Sequence, residues 1–412
     1  MKSRFPFPLL VPTLVALGMA APALAADWPQ WRGPGRDGRA ALAVRPEYPE
    51  ALTPAWKVAV GEGHASPLVV GDRVYVFARE GEEEVLQSLE LATGKRLWRQ
   101  AHPAPYTMNS AAASHGKGPK STPAVASGRV FTFGISGILS AFDAASGRLA
   151  WRKEFSAQFG ETSPLYGAAQ SPVVDGDRVI VHVGGPGRGA LTAFDTATGA
   201  VRWAWAGDGP AYASPVVTTL AGTRQVVTFT ESFLVGVSAD RGELLWKVPF
   251  TTPWVQNAIT PIVDGDTVVT SGLDHPLRAV RVVRKGAAYA TEPRWESATV
   301  SAYMSTPVLE NGRIYGLSQR KRGQLFCLDA ATGRVVWLSD GRQGENASLV
   351  AGGGSVFALT TDAELLVVAQ KGDAFATTRR WRVAESPTWA HPVVTSEGVL
   401  VKDRTHLAYL KF

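Results

Sequence analysis

The sequence predicts an all-β fold: an eight-bladed β-propeller of four-stranded antiparallel blades, with the ring closed by an N-terminal outer strand. Three observations carry this prediction. A unit of short strands returns eight times, a tryptophan closes seven of those units, and one further tryptophan strand near the N-terminus has no unit of its own. Repetition outranks length as a guide, since 412 residues would otherwise suggest two or three domains.

Each unit opens with a hydroxyl residue and proline, at Ser66-Pro67, Thr122-Pro123, Ser171-Pro172, Ser214-Pro215, Thr260-Pro261 and Thr306-Pro307, with variants at Ser348-Leu349 and His391-Pro392. Proline has no N–H, so it suits the head of a strand, where no ladder bond is needed. A Val-rich strand follows and turns at Gly-Asp, Asp-Gly or Asn-Gly, pairs that tolerate the positive φ of tight hairpins. A β-branched and aromatic strand comes next, then a third strand that ends near Asp143, Asp195 or Asp329 in three of the copies. Their recurrence at one repeat position marks these aspartates as turn caps.

The outermost strands carry Trp98, Trp151, Trp203, Trp246, Trp295, Trp337 and Trp381, whose large flat rings suit packing between blades. The eighth unit stops after its third strand, HLAYLKF, at Phe412. The missing fourth strand is LTPAWKVAV, residues 52–60, which carries Trp56. Pairing it with the last three strands closes the ring and protects the sheet edges.

The segment AFDAASGRLAW (Ala141 to Trp151) and its siblings AFDTATGAVRW and CLDAATGRVVW resemble the pyrroloquinoline-quinone-like (PQQ-like) repeat, and the resemblance covers essentially all of the chain past residue 26. DWPQWRGPGRDG, Asp27 to Gly38, is similar to the leader of many exported propellers of that family. The resemblance implies one of two branches. One comprises quinoprotein alcohol and sugar dehydrogenases, with PQQ, a Ca²⁺ ligand set and a vicinal disulfide. The other comprises quinone-free propellers, including the lipid-anchored BamB type that assists outer-membrane β-barrel assembly. The chain departs from both. Its single cysteine, Cys327, cannot form a vicinal disulfide, and no cysteine directly follows the signal-like segment, residues 1–26, to accept a lipid. No C-x-x-C-H haem motif is present either.

Residues 1–26 read as a secretory signal: Lys2 and Arg4, an apolar run from Leu9 to Ala20, then Ala23-Leu24-Ala25. That run is shorter than the roughly 20 residues needed to span a bilayer. The expected organisation is therefore signal (1–26), leader (27–51) and propeller (52–412), in a periplasmic or secreted protein with no membrane span and monomeric. Losing Lys2 and Arg4 would lower the net charge from +6 to +4. The cations form no arm interleaved with aromatics, which argues against nucleic-acid binding.

In a propeller the connections entering the inner strands converge on one channel mouth, a natural place for function. These connections are polar and aromatic. The candidate ligand-binding residues are His64, His115, Lys120, Gln170, Tyr212, Trp254, Gln256, Asn257, Tyr303, Asn346, Trp389 and His391, with Lys117, Tyr166 and Glu345 beside them. Two long connections, residues 99–120 and 152–170, are expected to drape over the same mouth. The eight closing tryptophans are read as structural. No catalytic motif or metal-binding run is present, so the residues point to a non-catalytic scaffold that binds a small molecule or a protein. No cofactor is read from the residues. The alternative, implied by the resemblance, is a PQQ-dependent dehydrogenase with Ca²⁺. A third reading, a lyase or hydrolase, needs His64, His115 or His391 to converge on a substrate.

Overall fold

Eight separate four-stranded antiparallel sheets, each built from strands consecutive in sequence apart from the last, form the blades of the computed structural model, which describes residues 27–412. The predicted signal segment lies outside the described residues. Blades 1 to 7 occupy residues 68–103, 124–153, 173–205, 216–249, 262–297, 308–338 and 347–382. Blade 8 takes its three inner strands from residues 393–411 and its outer strand from Thr53–Ala59. That strand pairs from Thr53 opposite Lys411 to Ala59 opposite His406. Because strand direction alternates, the connections into the inner strands share one face, the upper one, with the turns between second and third strands.

The hydroxyl of the Ser/Thr-Pro pair has a purpose beyond the proline's. The backbone N–H at one blade's start donates to the hydroxyl at the next: His391 to Ser66 (2.8 Å), Ser66 to Thr122 (3.0 Å), Thr122 to Ser171 (3.0 Å), Ser171 to Ser214 (2.9 Å) and Thr260 to Thr306 (3.0 Å). These bonds form a belt around the channel that satisfies groups no sheet ladder reaches. Blade 7 starts with Ser348-Leu349 in place of the proline pair, and its inner strand is longer, Ala347–Gly352, against three residues in blade 1.

Between blades, the closing tryptophans behave as the repeat predicts. The indole N–H of Trp56 donates to the Leu91 carbonyl (2.8 Å), that of Trp151 to Thr196 (3.0 Å), Trp203 to Ala239 (2.9 Å) and Trp295 to Ala330 (2.9 Å), each in the neighbouring blade. Trp98 reaches Ala144 at 3.3 Å. The same turns place a positive-φ glycine flat on the ring: a Cβ on Gly147 would sit 2.5 Å from Trp98 and one on Gly333 2.3 Å from Trp295. Asp143, Asp195 and Asp329 cap these turns through the N–H and hydroxyl two or three residues on, and the bonds hold their carboxyls below the usual range. Blade 5 lacks the Thr-Gly turn and runs on as a long hairpin to Lys285 and Ala288, so Trp246 donates instead to Gln225 of its own blade.

The leader, which the sequence left without a role, plugs the channel. It enters from the lower face, where Gly71 N–H donates to the Asp27 carboxylate and Trp28 pairs with Val69 of blade 1's inner strand. It turns beneath the upper mouth with Trp31, whose N–H donates to Thr260 (2.8 Å). It then leaves along blade 7, where Ala351 N–H donates to the Gly38 carbonyl and Ala40 N–H to the Ala351 carbonyl. Two arginines span the channel in opposite directions. Arg32 donates to the carbonyls of Thr306 and Pro307, and Arg36 to those of Ser171 and Pro172. Both are buried, and burial pulls their pKa values down to about 10 and about 9.

Candidate functional site

Above the plug lies a cavity of about 600 Å³. Trp31 of the leader forms part of its lining, and the connections into the inner strands supply the rest. His64, His115, Lys120, Tyr212, Trp254, Gln256, Tyr303 and Trp389 all line it, so the structure brings eight of the twelve predicted residues together. Both long connections contribute, with Asn109, Ala111, Ala112 and His115 from the first and Leu165, Tyr166 and Ala169 from the second.

The other four predicted residues lie outside this lining, and three of them, Gln170, Asn257 and His391, turn their polar side-chain atoms inward to satisfy backbone. Gln170 is buried and clamps His182, donating to its carbonyl (2.7 Å) and accepting from its N–H (3.0 Å). Asn257 is fully buried and donates to the carbonyls of Thr230 (2.8 Å) and Glu231 (3.1 Å). Asn346 is half-buried, with its main-chain carbonyl accepting from the Thr361 N–H (2.9 Å). His391 is buried beside the plug, with its ring against Trp28 and Trp31 and its Nε2 facing the Leu349 carbonyl at 3.0 Å.

Within the cavity, His64, His115 and Trp389 form an aromatic cluster, with ring centroids 4.8 to 5.9 Å apart. His64 Nε2–H donates to the His115 carbonyl (2.9 Å), and burial together with the charges of Lys402 and Lys120 holds its pKa down to about 3. Burial lowers His115 as well. Lys120 donates to the Tyr166 carbonyl (2.7 Å), and burial brings its pKa down to about 8. Across the cavity, Tyr303 donates to Gln256 (2.5 Å), and Tyr212 accepts from the Tyr166 N–H (3.2 Å). At neutral pH the site therefore holds neutral imidazoles, phenols and one formal cation. No carboxylate orients either histidine, so the pair lacks the base-and-orienter geometry of a catalytic dyad.

The rim is apolar and exposed. Trp254 is 69% exposed, Leu165 43% and Met304 37%. Trp254 and Val255 both have left-handed backbones, at φ 58° and 56°. That conformation is unfavourable for a bulky residue and for a β-branched one, and it holds the indole out into solvent. Trp31, Asn109, Leu165 and Met304 are lining residues that the sequence did not single out. For Leu165 and Met304 the available signal was a large apolar side chain just ahead of a unit start. For Trp31 it was the density of aromatic and turn residues in a segment with no strand pattern.

Burial of histidines predicts an acid limit. His64, His182 and His391 have pKa values lowered to about 3, about 4 and about 3 from an ordinary 6.5, in each case chiefly by desolvation. Between those values and 6.5 the unfolded chain binds more protons. Stability from these groups is therefore complete above pH 6.5 and falls as pH drops, by up to about 1.4 kcal/mol per pH unit for each histidine. Urea denaturation across this range checks it, with His391→Gln expected to flatten the slope by one histidine's share. An unchanged slope in that variant would count against the buried neutral state.

Comparison with known proteins adds the following. A family model described as outer membrane protein assembly factor BamB matches residues 52–118 and 82–339. An outer membrane protein assembly factor BamB of Shewanella oneidensis is 27% identical over 232 residues, covering 52% of this chain and 55% of that protein. The matches cover 55–60% of the length of the curated relatives. Among solved structures, quinohemoprotein alcohol dehydrogenase from Comamonas testosteroni superposes with a TM-score of 0.67 at 14% identity, over 94% of this chain and 80% of that one. BamB from Moraxella catarrhalis does so with a TM-score of 0.63 at 15% identity, over 88% and 98%. These structural likenesses speak to the fold.

The propellers of the dehydrogenase branch imply a quinone held with Ca²⁺, an ion that takes roughly six to eight oxygen ligands, carboxylates prominent among them. No Asp or Glu lines the cavity, and its one formal charge is a lysine. Among the described residues no group of three or more His, Cys, Asp or Glu side chains gathers to hold a metal. Cys327 is buried in a strand of blade 6, away from the lining. The donor set does not fit a quinone–calcium pair.

Proposed function

Since the chain belongs to the PQQ-like β-propeller family whose matching model is described as outer membrane protein assembly factor BamB, we propose that it is an exported, non-catalytic binding propeller that holds a segment of another protein at its upper mouth during outer-membrane protein assembly. The observation that carries this reading is the cavity itself, aromatic-walled and without carboxylates, with an exposed tryptophan on its rim. Exposed aromatics around a concave apolar site are the usual anchors of a protein interface. The leader supports the same reading: it closes the channel below Trp31, leaving a blind pocket that suits a side chain better than passage of a solute.

A photoreactive benzophenone amino acid placed at Trp254 tests this in cells producing the protein. Adducts with an outer-membrane assembly component or with an unfolded outer-membrane protein are expected, and a probe at Gly286, on the lower face, should yield far fewer. Equal adduct yields at the two positions would sink the proposal. So would tight, stoichiometric binding of pyrroloquinoline quinone with Ca²⁺ accompanied by dye reduction, which would make the chain a dehydrogenase.

A further inference from the structure

Beside the cavity, on the same face, four cations stand without partners. Arg320, Lys321 and Arg322 form the turn between the second and third strands of blade 6, and Arg342 lies in the connection from blade 6 to blade 7. All four are exposed. Two backbone bonds fasten the segments together, Arg342 N–H to the Lys321 carbonyl (3.0 Å) and Gln343 N–H to the Gly323 carbonyl (3.0 Å). Lys321, Arg322 and Arg342 all have left-handed backbones, at φ 53°, 60° and 64°, so the cluster is held in an unfavourable conformation by its surroundings.

No salt bridge among the described residues involves any of the four, although Asp340 and Glu345 lie exposed in the adjoining connection. At blade 1 the equivalent turn has its charges matched. Glu80 pairs with Arg99, and Glu82 pairs with Arg79 and Lys117. The basic turn is also joined to the cavity wall, because Gln319 N–H donates to the carbonyl of Ser301, in the connection that carries Tyr303 and Met304. A cationic cluster that forms no salt bridge therefore adjoins the connection that carries Met304 of the apolar rim.

We propose that the upper face docks an acidic segment of a partner protein, with an apolar side chain seated in the cavity and its carboxylates against Arg320, Lys321, Arg322 and Arg342. This rests on the reading of the cavity as a protein-binding site and supplies the chemistry of what binds there. Unpaired surface cations steer and select an anionic partner, and the apolar pocket supplies its anchor.

The test uses fluorescein-labelled synthetic peptides read by fluorescence anisotropy: one of alternating Glu and Phe, one of alternating Lys and Phe, and one of alternating Glu and Ser. The Glu/Phe peptide is expected to bind best, and its binding to weaken with salt. The combined variant R320E/K321E/R322E/R342E should lose about 30-fold in affinity and most of the salt dependence, on the basis of four exposed pairs each worth a few-fold. Its melting temperature should stay near that of the parent, since the four side chains are exposed and hold nothing. Trp254→Ala should weaken binding while keeping the salt dependence. If the reversal variant binds the Glu/Phe peptide as well as the parent and only Trp254→Ala weakens it, the cationic docking is overturned and the cavity reading survives. If the Lys/Phe peptide binds equally well, or if no peptide binds while polyphosphate or vesicles of anionic lipid do, the acidic protein segment is overturned as the occupant.

Discussion

Replacing Arg32 with alanine should destabilise the propeller by about 3–5 kcal/mol, measured by chemical denaturation at neutral pH. The guanidinium is buried in the channel and donates to three carbonyls, those of Asp37, Thr306 and Pro307, at 2.7 to 2.9 Å. Its loss leaves those carbonyls facing a void, at about 1–3 kcal/mol for each one that stays dry. Water entering the void would offset part of this, and removal of a buried charge offsets more, which sets the lower bound. Arg32→Lys should recover little, because one ammonium cannot serve carbonyls spread over the fork of a guanidinium. A loss below about 1 kcal/mol would mean that the plug is an ornament of the channel and not part of its structure.

The second large effect is expected at the seam of the ring. Trp56→Ala should cost about 3–5 kcal/mol, the usual range for deleting a buried tryptophan. The ring is 8% exposed, lies over Gly94 of blade 1 and donates to the Leu91 carbonyl. The strand that carries it is the one outer strand supplied from the far end of the chain, so its packing holds blade 8 to blade 1. Trp56→Phe separates the two contributions. It keeps most of the apolar area and loses the N–H, and should cost about 1 kcal/mol for the bond plus a small packing term. Equal losses in the two variants would place the stabilisation in the hydrogen bond alone.

Much of the fold was legible because each signal had a local cause. Proline at a strand head, glycine in a left-handed turn and aspartate ahead of Thr-Gly all act within a few residues, and their period exposed the eight units. The seam was legible too, since Trp56 had no unit and the last unit had no tryptophan. The belt of hydroxyls was not, because Ser66 and Thr122 meet across a blade boundary and nothing local distinguishes a belt serine from a turn serine. The plug was hidden for a stronger reason. Trp28, Trp31, Arg32 and Arg36 find their partners at Val69, Thr260, Thr306 and Ser171, which only the closed ring gathers around them.

The same reason divides the candidate site. Position in the repeat pointed to His64, Trp254 and Trp389, which line the cavity, but it could not say which side chains turn outward. Asn257 and Gln170 occupy equivalent connections and turn inward, because the carbonyls of Thr230 and His182 need a donor there. A polar residue in a loop reads alike in sequence whether it serves solvent, a ligand or the backbone.

The seam also sets an order of events during synthesis. Thr53–Ala59 leaves the ribosome well before its hydrogen-bonding partner, His406–Lys411, is made. Through that interval the early strand has an open edge and an uncovered indole, and the leader has no channel to enter. A nascent chain stalled anywhere along the last blade would therefore present both to whatever factor guards unfinished polypeptides. Only a chain that has reached Lys411 conceals them, so concealment of this edge reports that all eight blades have been made.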